Sequence, residues 1–176
     1  GWNTYKDTET GAFKPTFPNA RYLFGKTEYE AWQNVIRKDG HHSDAHLVEG
    51  VDPIVALGLA DFIDPDHQIC PEIQCEPSHG HTPGHMAYML ESGGKQLFLM
   101  ADVANHHVWS LAHPDWELRF DMDKAAAAQT RRTIMGMAAA DRIPLVGYHM
   151  PFPGLGFVET RSEGGYRYVP HSDQLL

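Results

Sequence analysis

Apolar positions at Tyr29, Trp32 and Ile36 recur at helical spacing and predict a helix over 27–38, with Thr27 as its N-cap and Gly40 as its stop. Ahead of it, residues 20–24 read as a short strand. Residues 1–20, with Gly1, Gly11, Pro15 and Pro18, read as loop. A His-rich loop over 41–48 leads to a second amphipathic helix expected over 51–62, with Pro53 tolerated in its first turn. After Asp66 the texture changes to that of strands. A strand over 69–75 is interrupted by Pro71, and two apolar runs, 86–90 and 96–101, flank Ser92-Gly93-Gly94-Lys95 as a hairpin. An Ala-rich helix comes next over 124–142, capped by Asp121 or Asp123. A buried-type strand over 144–148 runs into Pro151-Phe152-Pro153-Gly154, and a last hairpin over 157–169 turns at Glu163-Gly164-Gly165. Hairpins mixed with helices predict an α+β chain, read as a single domain over 1–176.

Composition narrows the function classes. A chain of 176 residues, 42% apolar and 11% aromatic, suits one globular domain or part of one. The net charge of −9 argues against nucleic acid or an anionic membrane surface as partner. The longest apolar runs, 54–60 and 97–101, are too short to span a bilayer. Cys70 and Cys75 cannot form a disulfide framework, do not match a Cys-x-x-Cys pair, and leave the compartment undetermined between cytoplasm and periplasm. The 12 histidines on an acidic chain favour metal chemistry, because imidazole ligates without a large pKa shift.

Three positions put a metal-ligand type at a predicted strand end. His85 closes Gly80-His81-Thr82-Pro83-Gly84-His85, whose Pro and Gly force a tight loop. Asp102 comes directly after the run over 97–101, and His149 comes directly after Leu145-Val146-Gly147-Tyr148. Taken singly, each has an ordinary explanation: an exposed loop histidine, a turn-forming aspartate, a satisfied core histidine. Taken together, at strand ends that one sheet rim would gather, they favour a metal site.

Thr82-Pro83-Gly84-His85, then Ala101-Asp102, then Gly147-Tyr148-His149 resembles the second half of the metallo-β-lactamase-fold hydrolases. The stretch from His149 through Pro151-Phe152-Pro153-Gly154 is similar to the branch of methyl parathion hydrolase and the acyl-homoserine-lactone lactonases. Phe17-Pro18-Asn19-Ala20-Arg21-Tyr22 fits the strand after that family's first metal motif. The resemblance implies a four-layer αββα sandwich and two divalent ions, usually zinc, sharing a hydroxide that attacks a small carbonyl or phosphoryl substrate. By resemblance His85 binds the first ion, Asp102 bridges both and His149 binds the second. His81 would support them, and His106, Trp109, Met150 and Phe152 would wall the substrate pocket. Trp109 and Trp116 read equally well as packing residues.

The chain departs from the family at its main motif, His-x-His-x-Asp-His. His79-Gly80-His81 gives the first half, but Pro83 and Gly84 stand where Asp and His belong, and His42-Ser43-Asp44-Ala45-His46 has the wrong spacing. Gly1-Trp2-Asn3 resembles the segment just after the last histidine of that motif, so the expectation is a C-terminal portion lacking four of seven ligands. Such a chain would be weakly active by itself, and would form a homodimer or pair with an N-terminal fragment. Two competing readings are a non-catalytic binding or assembly module and a glyoxalase II-like thioesterase, the latter disfavoured by the Pro-Phe-Pro-Gly stretch. A serine hydrolase is disfavoured, since Gly-x-Ser-x-Gly does not occur.

Overall fold

The computed structural model describes residues 3–39 and 50–171, and these fall into two compact units divided after Asp64. The His-rich stretch over 41–48 lies outside the described residues.

In the first unit, β1 (Thr4–Lys6) and β2 (Phe13–Pro15) form an antiparallel hairpin where loop was expected. The connection is held by Asp7, whose Oδ1 accepts the Thr10 N–H at 2.8 Å and whose carboxylate pairs with Lys14. β3 (Tyr22–Gly25) leads directly into α1 (Lys26–Asp39). The expected helix over 51–62 is a correction: α2 covers only Asp52–Ala56, and Ala60–Ile63 is strand β4, parallel to β3. Gly58 stops the helix at φ +70, and the chain beyond it is held extended by its pairing with β3. Arg21 fastens this turn, its Nε donating to Asp61 at 2.8 Å and its Nη1 to the Gly58 carbonyl.

The second unit is a seven-stranded sheet ordered β11-β10-β9-β8-β7-β6-β5. Its strands are β5 (Gln68–Cys70), β6 (Ile73–Pro77), β7 (Met86–Ser92), β8 (Lys95–Ala101), β9 (Leu145–Gly147), β10 (Leu155–Thr160) and β11 (Tyr166–Pro170). The run expected as one strand over 69–75 is two antiparallel strands, because the chain turns at Pro71-Glu72. All neighbours pair antiparallel except β8 and β9. Joining that parallel pair requires a crossover, which contains the short α3 (Trp109–Ala112) and the long α4 (Lys124–Asp141). Asp123 caps α4 by accepting the Ala126 N–H at 2.9 Å, and Arg142 ends it in the left-handed conformation at φ +53.

Alternation along the strands builds the core. Phe98 and Met100 of β8, Leu145 of β9 and Val158 of β10 pack with Ile134, Met135 and Ala138 of α4 and Leu111 of α3. Met135, Ala138, Phe98 and Leu145 are fully buried. Cys75 is buried and Cys70 half-buried, both as free thiols. Among the described residues no helix is long and apolar enough to cross a membrane.

Candidate functional site

Strand directions decide which residues share a rim. Because β8 and β9 are parallel, their C-terminal ends emerge together, and antiparallel β7 begins at the same edge. His85 stands just before β7, Asp102 just after β8, and His149 two residues past β9. The chain leaves β8 through Ala101 at φ +47, a conformation that costs an L-residue roughly 1–2 kcal/mol. Gly147 ends β9 where a Cβ would lie 2.3 Å from Met100 Cε, so a larger residue there would push that core methionine aside.

The three residues meet on this rim. His149 Nε2–H donates to Asp102 Oδ1 at 2.9 Å, and the Asp102 backbone N–H donates to His85 Nε2 at 3.1 Å. On the far side of the His85 ring, Nδ1 lies 3.0 Å from the Ser78 carbonyl and 2.7 Å from its hydroxyl. A carbonyl only accepts, so Nδ1 carries the proton and the Nε2 lone pair is the one that accepts the Asp102 N–H. This is the tautomer that ligates a cation, and in this structure its Nε2 lone pair is taken by the Asp102 N–H. The Asp102 and His149 side chains are 28% and 45% exposed.

A second, closed network borders this group. The His81 ring meets His85 edge-on, centroids 5.7 Å apart, and His81 Nδ1–H donates to Asp121 Oδ1 at 3.1 Å. Asp121 Oδ2 accepts from Arg131 Nη2 at 3.0 Å. Arg131, 1% exposed, also donates to the carbonyls of Val103 at 3.0 Å and Pro114 at 2.7 Å, tying the segment after Asp102 to α4. Gly80 holds the His81 loop against the first turn of α4: its φ is +127, and a Cβ would stand 2.1 Å from the Ala127 nitrogen. Sequence reasoning missed Ser78 and Arg131 and considered Asp121 only as a helix cap.

The other candidate residues are dispersed. Met150, 7% exposed, belongs to the hydrophobic core, which removes it from a pocket wall. Phe152 is 75% exposed close to His149 in the chain. His106 accepts the backbone N–H groups of Val108 and Trp109 at 3.1 and 3.2 Å and stacks on Trp109 at 4.4 Å, so its ring is committed to the start of α3. Trp109 is mostly exposed and does not pack in the core.

Two imidazoles and a carboxylate are the right donor types for zinc or a similar divalent ion. In number they fall short: among the described residues no group of three or more His, Cys, Asp and Glu side chains is placed to hold a metal ion.

This mixed sheet, with its strand-end His, Asp and His, has the metallo-β-lactamase fold, as solved structures show. The hydrolase AbOPH of the beta lactamase superfamily aligns at a TM-score of 0.77 and 21% identity, over 91% of this chain and 58% of its own. AidC, a dizinc quorum-quenching lactonase solved with the product N-hexanoyl-L-homoserine, aligns at 0.74 and 26% identity, over 90% of this chain and 57% of its own. A probable metal-dependent hydrolase from Staphylococcus aureus aligns at 0.65 and 17% identity, over 92% and 56%. The chain therefore spans less than two thirds of the length of these proteins, and its α+β architecture is a part of theirs. No protein-family model and no curated protein matches the chain in sequence.

Proposed function

We propose that the chain carries one side of a metal-dependent hydrolase site for lactone, ester or organophosphate bonds. The observation that carries this reading is Asp102 meeting two histidines on one sheet rim, its carboxylate accepting from His149 and its backbone N–H donating to His85. His85, oriented by Ser78, would ligate through Nε2 after releasing the Asp102 N–H, Asp102 would bridge two divalent ions such as zinc, and His149 would ligate after yielding its Nε2 proton. When bound, such ions supply Lewis acidity: they ease ionisation of water at neutral pH and draw charge from the attacked carbonyl or phosphoryl group. The exposed Phe152 and Tyr148 flanking His149 suit an apolar acyl or aryl portion of a small substrate. The remaining donors would come from outside these 176 residues, on an N-terminal fragment or a second copy; the share of the neighbours' length that the chain spans supports this.

A non-catalytic module is the second reading, favoured by the lack of a three-donor group among the described residues. One experiment separates the two. The chain is titrated with Zn²⁺ while its thermal midpoint and its hydrolysis of a lactone and a nitrophenyl ester are monitored. The hydrolase reading expects a zinc-dependent rise in midpoint and weak turnover, both lost in His149→Ala. Zinc binding without turnover above that variant supports the module, and no zinc effect of either kind overturns the metal site.

A further inference from the structure

A cleft of about 300 Å³ opens between α3 and β11, away from the rim that gathers His85, Asp102 and His149. Its position comes from packing: α3 abuts Gly165, where a Cβ would lie 2.1 Å from the Ala112 carbonyl oxygen, and Gly165 precedes the N-terminal end of β11. β11 runs parallel to β9, so this is the end of the strand opposite the one that faces the His149 rim.

The lining is unusual for this chain. Trp109, Tyr166 and Tyr168 supply aromatic surface, and Arg161 and Arg167 supply two guanidinium groups. Among the described residues no aspartate or glutamate lines the cleft, although the chain as a whole carries a net charge of −9. The aromatic side is fixed in place. Trp109 stacks on His106 with planes 15° apart, and Tyr166 donates to the Arg132 carbonyl at 3.3 Å. The Tyr168 hydroxyl is buried with no hydrogen-bond partner among the described residues, and burial raises its pKa, so it stays a proton donor. His107, also in the lining, is held towards its neutral form by burial and by the neighbouring His106. The permanent positive charge in the lining is that of the two arginines, which do not titrate near neutrality.

We propose that this cleft binds a small aromatic carboxylate, its ring against Trp109 and the tyrosines and its carboxylate on Arg161 and Arg167. A planar guanidinium matches a carboxylate in two parallel hydrogen bonds, and aromatic walls bury the ring. Both arginines also have acidic neighbours: Arg161 lies 3.6 Å from Glu163, and Arg167 pairs with Glu159 at the surface. Binding therefore competes with those pairs, and the site suits a ligand that brings both a charge and a ring. The assignment does not depend on the hydrolase reading.

The test is a titration of the full chain with benzoate, benzyl alcohol and acetate, read by two-dimensional amide NMR. Benzoate is expected to shift the amides of 107–113 and 161–168 saturably. Benzyl alcohol should bind about tenfold more weakly and acetate should leave those amides unmoved. Trp109→Ala and Arg161→Ala, both at surface-accessible side chains, should each weaken benzoate about tenfold. The proposal is overturned if benzoate gives no saturable shift, if the shifts centre on 147–150 instead, if benzyl alcohol binds equally well, or if both variants bind like the parent chain.

Discussion

Two aspartate–histidine pairs lie near one another in the second unit and differ in almost everything but their chemistry. His149 meets Asp102 at 2.9 Å and His81 meets Asp121 at 3.1 Å. Asp121 is 1% exposed, with its second oxygen on Arg131, and Asp102 is 28% exposed. A buried carboxylate shared between an imidazole and a guanidinium has its acceptor capacity spent on holding backbone in place. A half-open one keeps lone pairs for something else. The same residue pair is thus a closed fastening in one place and a half-open contact in the other, and burial together with the third partner decides which.

The comparison breaks most sharply at Arg131. Arg131→Met should cost about 3–5 kcal/mol in urea unfolding, because it strands a buried carboxylate. Adding Asp121→Asn should recover part of that loss, since an amide needs no counter-charge. Asp102→Asn should change stability by less than about 1 kcal/mol, as expected for a solvent-accessible pair. The same variant should abolish the zinc-dependent rise in thermal midpoint; an unchanged rise would remove Asp102 from the metal site. The smallest effect is expected at Asp7 in the first unit, half-buried and bonded to Lys14 and Thr10, which hold its carboxyl well below the usual carboxylate range. A depressed folded pKa gives a contribution present at neutral pH that fades as pH falls below about 4. The Thr10 amide shift should therefore move only at strongly acidic pH, and Asp7→Asn should flatten that titration.

Much of the second unit was legible because its turns carry their own chemistry. Gly93-Gly94 and Gly164-Gly165 all adopt positive φ, and they mark the two hairpins that the alternation predicts. The Ala-rich α4 was legible from propensity and its Asp123 cap. β4 was not legible, since the segment after Pro53 reads as a continuing helix and only pairing with β3 makes it extended. Nor was the role of Arg131: an arginine in an Ala-rich helix reads as surface until the carbonyls of Val103 and Pro114 are found around it. At the rim, strand-end logic brought His85, Asp102 and His149 to one place, but not which atoms meet. The Ser78 contact that fixes the His85 tautomer has no spacing signal, because it depends on how the 78–85 loop closes.

The lone parallel junction in the sheet has a kinetic consequence. The β7–β8 and β10–β11 hairpins close short loops, whereas Phe98 must find Leu145 across the whole crossover. Long closures are slow, so the hairpins can assemble while Asp102 and His149 are still apart. The junction that creates the rim therefore depends on the longest closure within the sheet.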